Sequence, residues 1–185
     1  MLFFLSSLVL ALEIGQPAPD FGLKSTKGEE IRLQDNLGKV VVLEWFNPGC
    51  PFVKYAHKEA LMKSLVEKHS DVVWLGINSS AKKKQGHGAK KNAEAKAKWN
   101  LSYPILLDEL GLVGKLYNAK TTPHMYIIDA KGTLVYQGAF DSAPMGRKKK
   151  ENIPYVSNAL DEIKAGKEVS TPETKAYGCS VKYAR

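Results

Sequence analysis

The segment KVVVLEWFNPGCPFVK, residues 39–54, joins two contrasting sequence patterns through a single cysteine. Its first half, KVVVLEWF, is a continuous β-branched and aromatic run, which is typical of a strand buried on both faces. From Pro51 to His69 the apolar residues recur near helical spacing, with no glycine or further proline inside the run. The sequence therefore predicts a central strand followed by one long helix, with Cys50 at their junction.

Strand-like and helix-like segments alternate along the rest of the chain. One hairpin is predicted around Lys27-Gly28, and a second, around Lys131-Gly132, follows the last crossover. The other predicted elements are strands at 72–78 and 103–107 and helices at 89–99, 109–118 and 151–166, the last with Pro154 in its first turn. This order predicts an α/β layer sandwich with an N-terminal β-hairpin extension. Its mixed central sheet is parallel at the helical crossovers and antiparallel in the final hairpin.

Size and composition indicate one globular domain. The chain has 185 residues, of which 44% are hydrophobic, so it can bury a core of its own. We assign the domain to residues 13–167 and a tail without periodicity to residues 168–185. The formal net charge is +8. The basic runs lack interleaved aromatic residues, so we interpret them as solvated surface and expect no nucleic-acid partner.

Residues 1–12 are interpreted as an incomplete signal peptide. The run MLFFLSSLVLA is apolar and ends in a cleavage-like Val-Leu-Ala, but no lysine or arginine precedes it. A transmembrane helix needs about 20 apolar residues, so no stable membrane insertion is expected. The protein is expected to be exported, either periplasmic or secreted, if this leader is a signal peptide. It is expected to be cytoplasmic if the run is instead a buried first strand.

Cys50 occupies a position that favours a reactive thiol. The first amides of a helix lack intrahelical partners and carry partial positive charge, so a thiolate there is stabilised. Such placement, with cations such as Lys54 and His57 nearby, lowers a cysteine pKa from about 8.5 into the range of about 3.5 to 7.5. Pro51 suits the first helical position, so the Gly49-Cys50-Pro51 bracket directs the sulfur to the helix mouth. The alternative is a buried cysteine that acts only as a small hydrophobe.

Three segments carry a family resemblance: KVVVLEWFNPGCPFVK, TTPHMYIIDAKGTLVYQG (residues 121–138) and the terminal GCSVKY (residues 178–183). Over residues 14–165 the chain resembles the thioredoxin-like superfamily, in its redoxin or AhpC/TSA-type branch. Within that branch it resembles a peroxiredoxin-like group with one cysteine in the active-site loop. The resemblance implies a thioredoxin-like three-layer sandwich, with Cys50 at the first cysteine of the thioredoxin Cys-x-x-Cys site and Val53 at the second. It also implies a cis Thr122-Pro123 bond that faces the reactive sulfur.

The chain departs from the peroxidase pattern of that branch. Peroxiredoxins place a threonine or serine three residues before the reactive cysteine and supply an arginine to the peroxide site. Here the third residue back is Asn47, and none of Arg32, Arg147 and Arg185 has a spacing that assigns it to that role. The peroxidase signature is therefore incomplete, and disulfide exchange is the leading prediction.

The second thiol, Cys179, lies in the aperiodic tail. A mobile tail can carry a resolving cysteine, which attacks a mixed disulfide or an oxidised cysteine and releases the product. Cys179 is predicted to resolve Cys50 in this way. A static Cys50–Cys179 bridge and an unpaired, inert thiol are the alternatives. Because the chain has only two cysteines, a disulfide-stapled miniprotein and a four-cysteine zinc site are excluded.

The predicted function is that of a thiol-disulfide oxidoreductase with Cys50 as the nucleophile. Its substrate would be a protein disulfide, or a hydroperoxide in the alternative of a thiol peroxidase; the thiol reductant and the oligomeric state are not specified by the sequence. Thr122 and Pro123 are expected to dock the partner's backbone, and His124 to be a proton carrier or idle. The other residues expected to shape the site are Trp45, Asn47, Pro48, Gly49 and Pro51.

A non-catalytic redoxin-fold module that binds a partner or a metal is the alternative from another class. Metal binding by Cys50 and His124 is disfavoured, because thioredoxin-fold copper chaperones present two cysteines in one loop and this loop has one. No cofactor is predicted, since the sequence lacks a phosphate-binding glycine loop, a helical metal-ligand pair and a hydrolase nucleophile elbow. His57 is expected to have a surface or packing role.

Overall fold

The structure, a computed structural model, describes residues 12–147 and 151–184. The predicted signal peptide lies outside the described residues apart from Leu12. The strands are β1 (Gly22–Ser25), β2 (Glu30–Arg32), β3 (Val41–Trp45), β4 (Val73–Asn78), β5 (Ile105–Leu107), β6 (Thr121–Thr122), β7 (Met125–Ile128), β8 (Leu134–Gly138) and β9 (Cys179–Ser180). The α-helices are α1 (Pro51–Lys58), α2 (Leu61–Lys68), α3 (Ala89–Lys98), α4 (Leu112–Leu116) and α5 (Tyr155–Lys164). Of the helices in these two ranges, none has the length and apolarity to cross a membrane.

Seven strands form one mixed sheet in the order β2-β1-β5-β4-β3-β7-β8. β3 pairs in parallel with β4, and β4 with β5, because helical crossovers join them. β7 and β8 form the predicted antiparallel hairpin. The N-terminal hairpin of β1 and β2 is also confirmed, with Gly28 at φ +87° in its turn. The predicted α/β class with a mixed central sheet is therefore confirmed.

The sheet separates two apolar cores, which gives the fold its three layers. Successive residues along β3 and just after it point to opposite faces: Val42 and Phe46 lie in the first core, and Val41 and Trp45 lie in the second. Helices α1, α2, α3 and α5 contribute side chains to the first core. Helix α4 and the N-terminal segment contribute to the second. Cys50 belongs to the first core.

The single long helix predicted from Pro51 to His69 is wrong. The chain ends α1 at Lys58 and begins α2 at Leu61, and between them Ala60 has left-handed backbone with φ 56°. Neither glycine nor proline marks this break, so the sequence offers no local signal for it. Because both helices contribute side chains to the first core, the apolar spacing persists across the break.

The C-terminal helix begins later than predicted, at Tyr155 rather than at Glu151. The residues before it bond to the preceding loop: the Ile153 amide donates to the Ser142 hydroxyl at 2.8 Å, and the Ser142 amide donates to the Ile153 carbonyl at 3.0 Å. A proline disfavours helical backbone in the residue that precedes it. Pro154 therefore lies at the N-cap of α5 and not inside its first turn.

The C-terminal tail packs along the domain. β9 pairs antiparallel with β6, with Thr122 opposite Cys179 and Thr121 opposite Ser180. Val181 packs into the second core, while Cys179 packs against the first. The tail therefore reaches both cores and brings Cys179 to the short strand β6.

Candidate active site

Cys50 lies at the N-terminal end of α1, as the strand-to-helix junction predicts. Its backbone is extended, with φ −74° and ψ 126°, and it caps the helix while Pro51 takes the first helical position. The side chain is fully buried, at 0% exposure. The Cys50 amide donates to the Asn47 carbonyl at 3.0 Å, which closes the loop between β3 and α1 into a turn. The sulfur is therefore held beside the first free amides of the helix.

Asn47 holds the loop that carries Cys50. Its side-chain oxygen accepts a hydrogen bond from the Gly49 amide at 2.8 Å. Its side-chain nitrogen donates to the Gln85 carbonyl at 3.1 Å and to the Ser80 hydroxyl at 3.4 Å. Gly86 packs so closely on this side chain that a Cβ at Gly86 would lie 2.3 Å from the Asn47 oxygen. The carboxamide is thus occupied by contacts within the loops.

Thr122 faces the sulfur from the other side, and its peptide bond to Pro123 is cis, as the resemblance implies. The Cys50 thiol donates to the Thr122 carbonyl at 2.9 Å. The sulfur of Cys179, which lies opposite Thr122 in β9, is 2.7 Å from the sulfur of Cys50. Both cysteines are free thiols. The two cysteines of the chain therefore meet at the end of α1.

The two thiols differ in acidity. Burial raises the pKa of Cys50, but hydrogen bonds outweigh it and hold the pKa below the ordinary value of a thiol. The donors are the Cys179 thiol, the Thr122 hydroxyl, and the backbone amides of Val53 and Cys179. The buried Thr122 hydroxyl has no hydrogen-bond partner of ordinary geometry among the described residues, so it can turn toward a Cys50 thiolate. Burial and the adjacent Cys50 sulfur raise the pKa of Cys179 to about 11, so Cys50 ionises first.

A buried polar cluster that the sequence patterns did not predict lies on the same face of the sheet. Glu44 in β3 is 1% exposed; it lies 3.0 Å from Nε2 of His57 and accepts a hydrogen bond from the Tyr103 hydroxyl at 2.8 Å. His57 stacks on Trp99 with ring centroids 5.0 Å apart. The packing role expected for His57 is confirmed, and Nε2 of its ring is engaged by Glu44. The sequence feature that could have revealed this cluster is Glu44, the lone carboxylate inside the apolar run KVVVLEWF.

Two residues expected to shape the site have their polar contacts elsewhere. Trp45 points into the second core, where its indole nitrogen donates to the Ser79 hydroxyl at 3.0 Å. Nδ1 of His124 lies 2.9 Å from the Tyr126 hydroxyl. Burial, and then the positive charge of Lys120, lowers the pKa of His124 to about 4. The ring is therefore neutral near pH 7, and these contacts favour a positioning role for it over proton transfer.

An open groove of about 390 Å³ borders the active-site loop, with Pro48, Gly49, Lys54 and Trp99 among its lining residues. Lys54 lines this groove, and hydrogen-bond donors lower the pKa of Cys50. Within residues 12–147 and 151–184, no group of three histidine, cysteine, aspartate or glutamate side chains is arranged to hold a metal ion. The chemistry that the described residues present here is that of the two thiols.

Curated relatives of this chain are redox proteins by name. It is 30% identical over 143 residues to thioredoxin-like protein YneN of Bacillus subtilis, a match that covers 75% of this chain and 80% of the relative. It is 32% identical over 104 residues to peroxiredoxin Bcp of the same organism, with coverage of 54% and 60%. It is 33% identical over 125 residues to thiol-disulfide oxidoreductase ResA of Geobacillus kaustophilus, with coverage of 66% and 67%.

The fold and the family agree with these relatives. A conserved protein of Geobacillus kaustophilus, known from its crystal structure, superposes with a TM-score of 0.83 over 94% of this chain and 93% of that one, at 26% identity. Residues 14–137, more than half of the chain, match the family model described as the AhpC/TSA family. That range includes Cys50, Thr122 and Pro123. The expected thioredoxin-like fold and redoxin branch are therefore confirmed, and the chain belongs to the AhpC/TSA family.

Proposed function

We propose that this protein is a thiol-disulfide oxidoreductase in which Cys50 is the nucleophile and Cys179 is the resolving thiol. The observation that carries the proposal is the pair of free thiols 2.7 Å apart whose pKa values are shifted in opposite directions. In a static bridge neither sulfur would be a free thiol, whereas here both are. Membership of the AhpC/TSA family, and relatives named as a thioredoxin-like protein and a thiol-disulfide oxidoreductase, support redox chemistry at these thiols.

In the proposed reaction, the Cys50 thiolate attacks one sulfur of a substrate disulfide, and the substrate S–S bond breaks as the Cys50–substrate bond forms. The other substrate sulfur leaves as a thiolate and takes up a proton. Cys179 then loses its proton and attacks the Cys50 sulfur, which releases the second substrate thiolate and forms the Cys50–Cys179 disulfide. Two electrons pass from the protein dithiol to the substrate, and an external thiol reductant restores the dithiol. Export, which the leader-like residues 1–11 favour, would set this chemistry in an oxidising compartment.

The raised pKa of Cys179 belongs to the reduced state, and this sets the order of the two steps. After burial, the largest causes are its hydrogen bond to the Cys50 sulfur and the charge of that sulfur, whereas Lys182 acts in the opposite direction. In the mixed disulfide Cys50 carries no charge, so the contribution of its charge disappears. Cys179 therefore becomes more acidic at the step in which its thiolate is needed.

A thiol peroxidase is the second candidate, and the burial of Cys50 favours it, because a hydroperoxide is small enough to approach a covered sulfur. Cys50 would be oxidised to a sulfenic acid as ROOH is reduced to ROH, and Cys179 would then displace water to form the same disulfide. The Asn47 side chain argues against it, because it is bonded within its own loops.

Rapid mixing separates these candidates. The reduced protein is mixed with a protein disulfide or with hydrogen peroxide, and formation of the Cys50–Cys179 bond is followed by non-reducing peptide mapping. We expect the protein disulfide to drive this bond, and peroxide to react no faster than with an ordinary free cysteine at the same pH. A fast peroxide reaction without disulfide exchange would make the protein a peroxidase. Failure of both reactions in verified dithiol protein would leave a non-catalytic module.

A further inference from the structure

The C-terminal residues that the structure describes pair with β6, the short strand that precedes Pro123. β9 pairs with β6, and beyond this pair the Val181 amide donates to the Lys120 carbonyl at 3.1 Å. The Ala81 amide donates to the Lys182 carbonyl at 2.9 Å. β6 is two residues long and has β9 as its strand partner. The backbone groups with which an extended partner chain would pair are therefore already in use.

Two tyrosines fasten this segment, residues 177–183, which we call the tail strap. The Tyr177 hydroxyl donates to a carboxylate oxygen of Asp141 at 2.5 Å. The Tyr183 hydroxyl donates to the Ala119 carbonyl at 2.8 Å. The strap is thus held at both ends by hydrogen bonds that do not involve Cys50, and the hydroxyls can be removed without altering the thiols.

Gly178 makes a very close contact between the strap and β6. Its φ is +141°, and a Cβ built on it would lie 2.2 Å from the carbonyl oxygen of Thr122 and 3.2 Å from the nitrogen of Pro123. These are backbone atoms, so they cannot swing aside as the end of a flexible side chain can. Any other residue at this position must therefore lift the strap away from β6.

The strap has two opposite effects on Cys50. It occupies the edge of β6, and Cys50 is 0% exposed, so a large disulfide cannot reach the sulfur while the strap is docked. The strap also brings the Cys179 thiol and amide, which donate to the Cys50 sulfur. The Thr122 hydroxyl and the Val53 amide also donate to this sulfur. The charged or titratable side chains on the elements around it are Lys54, Tyr55, His57 and Lys58 of α1 and Tyr177, Lys182 and Tyr183 of the strap.

We propose that the tail strap occupies a peptide-binding site along the edge of β6. The binding partner of this site is an extended protein segment that carries a cysteine and displaces the strap from β6. This rests on the proposed disulfide exchange and names its partner. In the resting state Cys179 takes the place of the partner's cysteine opposite Thr122. The close contact at Gly178 selects partners with glycine before the cysteine, because a Cβ there meets backbone atoms.

Gly178→Ala tests the strap directly, with Gly166→Ala as its matched control. Gly166 also has positive φ, +68°, but a Cβ there meets no atom within 4 Å. The rate of Cys50 alkylation by iodoacetamide is measured against pH in each reduced full-length variant, with Cys50 and Cys179 resolved by peptide mass spectrometry. The plateau rate at high pH reports access to the sulfur, and the midpoint reports its acidity.

We expect Gly178→Ala to raise the plateau rate of Cys50 alkylation by at least about tenfold. This corresponds to a loss of about 1.4 kcal/mol in the free energy with which the strap docks on β6. Lifting the strap relieves the burial that raises the pKa of Cys50 and also withdraws the Cys179 donors that lower it, so the plateau rate, and not the midpoint, is the diagnostic readout. Gly166→Ala should match the wild type in both. If Gly178→Ala fails to fold, the double variant Tyr177→Phe/Tyr183→Phe loosens the strap at its ends and should raise the plateau likewise. An unchanged plateau in the folded variant contradicts the proposal.

Partner selection is tested with two synthetic peptides of the strap sequence, one with glycine and one with alanine before the cysteine. Each is activated as a mixed disulfide with thionitrobenzoate, whose release from the peptide sulfur as Cys50 attacks is measured by absorbance. The glycine peptide should react at least about tenfold faster with the wild-type protein. Equal rates, in a protein that still exchanges disulfides, would overturn this inference and leave the proposed function standing. Absence of exchange with every disulfide would overturn both.

Discussion

Cys50→Ser is expected to abolish turnover of a protein disulfide, with a loss of at least about a thousandfold. A serine hydroxyl ionises far less readily than a thiol and cannot form the mixed disulfide. The Val53 amide and the Thr122 hydroxyl would remain in place, but they would have no sulfur anion to stabilise. Turnover is measured with a saturating thiol reductant. Residual activity within about tenfold of the wild type would contradict the assignment of Cys50 as the nucleophile.

Cys179→Ser is the matched variant, and it should fail at a different step. The attack of Cys50 on the substrate remains possible, but no second thiol releases the product. A mixed disulfide between Cys50 and the substrate should therefore accumulate to one equivalent per chain while turnover stops. Intact-protein mass spectrometry under non-reducing conditions detects this adduct. Full turnover in this variant would show that the external reductant resolves Cys50 unaided and that Cys179 has another role.

Glu44→Ala is expected to lower the free energy of unfolding by about 2 to 6 kcal/mol, because it leaves two buried polar groups without their partner and each such group costs about 1 to 3 kcal/mol. The carboxylate is 1% exposed and bonds to both His57 and Tyr103. Nδ1 of His57 already has no hydrogen-bond partner among the described residues, so the variant would leave both ring nitrogens unpaired. Urea unfolding followed by tryptophan fluorescence measures the loss.

Glu67→Ala is the control for this measurement. Glu67 in α2 pairs with Lys63 at 3.7 Å, and both side chains are about half exposed or more. An exposed pair of this kind contributes about 0.5 kcal/mol or less, so the same chemical change should have a small effect there. A loss at Glu44 no larger than the loss at Glu67 would contradict the description of Glu44 as the centre of a buried network.

Local patterns predicted the parts of the fold whose cause is local. The run KVVVLEWF marked β3, and Pro51 marked the first turn of α1, because a buried strand and a helix start each impose their own residue preferences. The left-handed backbone at Ala60 has no such cause in its neighbours. Helices α1 and α2 both pack on the first core, and packing of that kind cannot be deduced from spacing along the chain.

The sequence allowed the part of the candidate site around Cys50 to be predicted, but not the position of the tail residues in it. Cys50 and the cis Thr122-Pro123 bond follow from a strand-to-helix junction and a family resemblance. The contact between Cys50 and Cys179 depends on the path of the strap across β6, which sequence separation does not encode. Glu44 was visible as a lone carboxylate in an apolar strand, but its partner Tyr103 comes from the loop just before β5.

Titration of the two thiols in the reduced wild-type protein tests the central claim most directly. Alkylation of each cysteine is followed against pH by peptide mass spectrometry, and the midpoint of each rate profile gives its pKa. Donation from the helix amide and from the strap predicts a midpoint for Cys50 below the ordinary value of a cysteine, and a midpoint for Cys179 of about 11. A Cys50 midpoint at or above the ordinary value, or the reverse order of the two midpoints, would contradict Cys50 as the activated thiol.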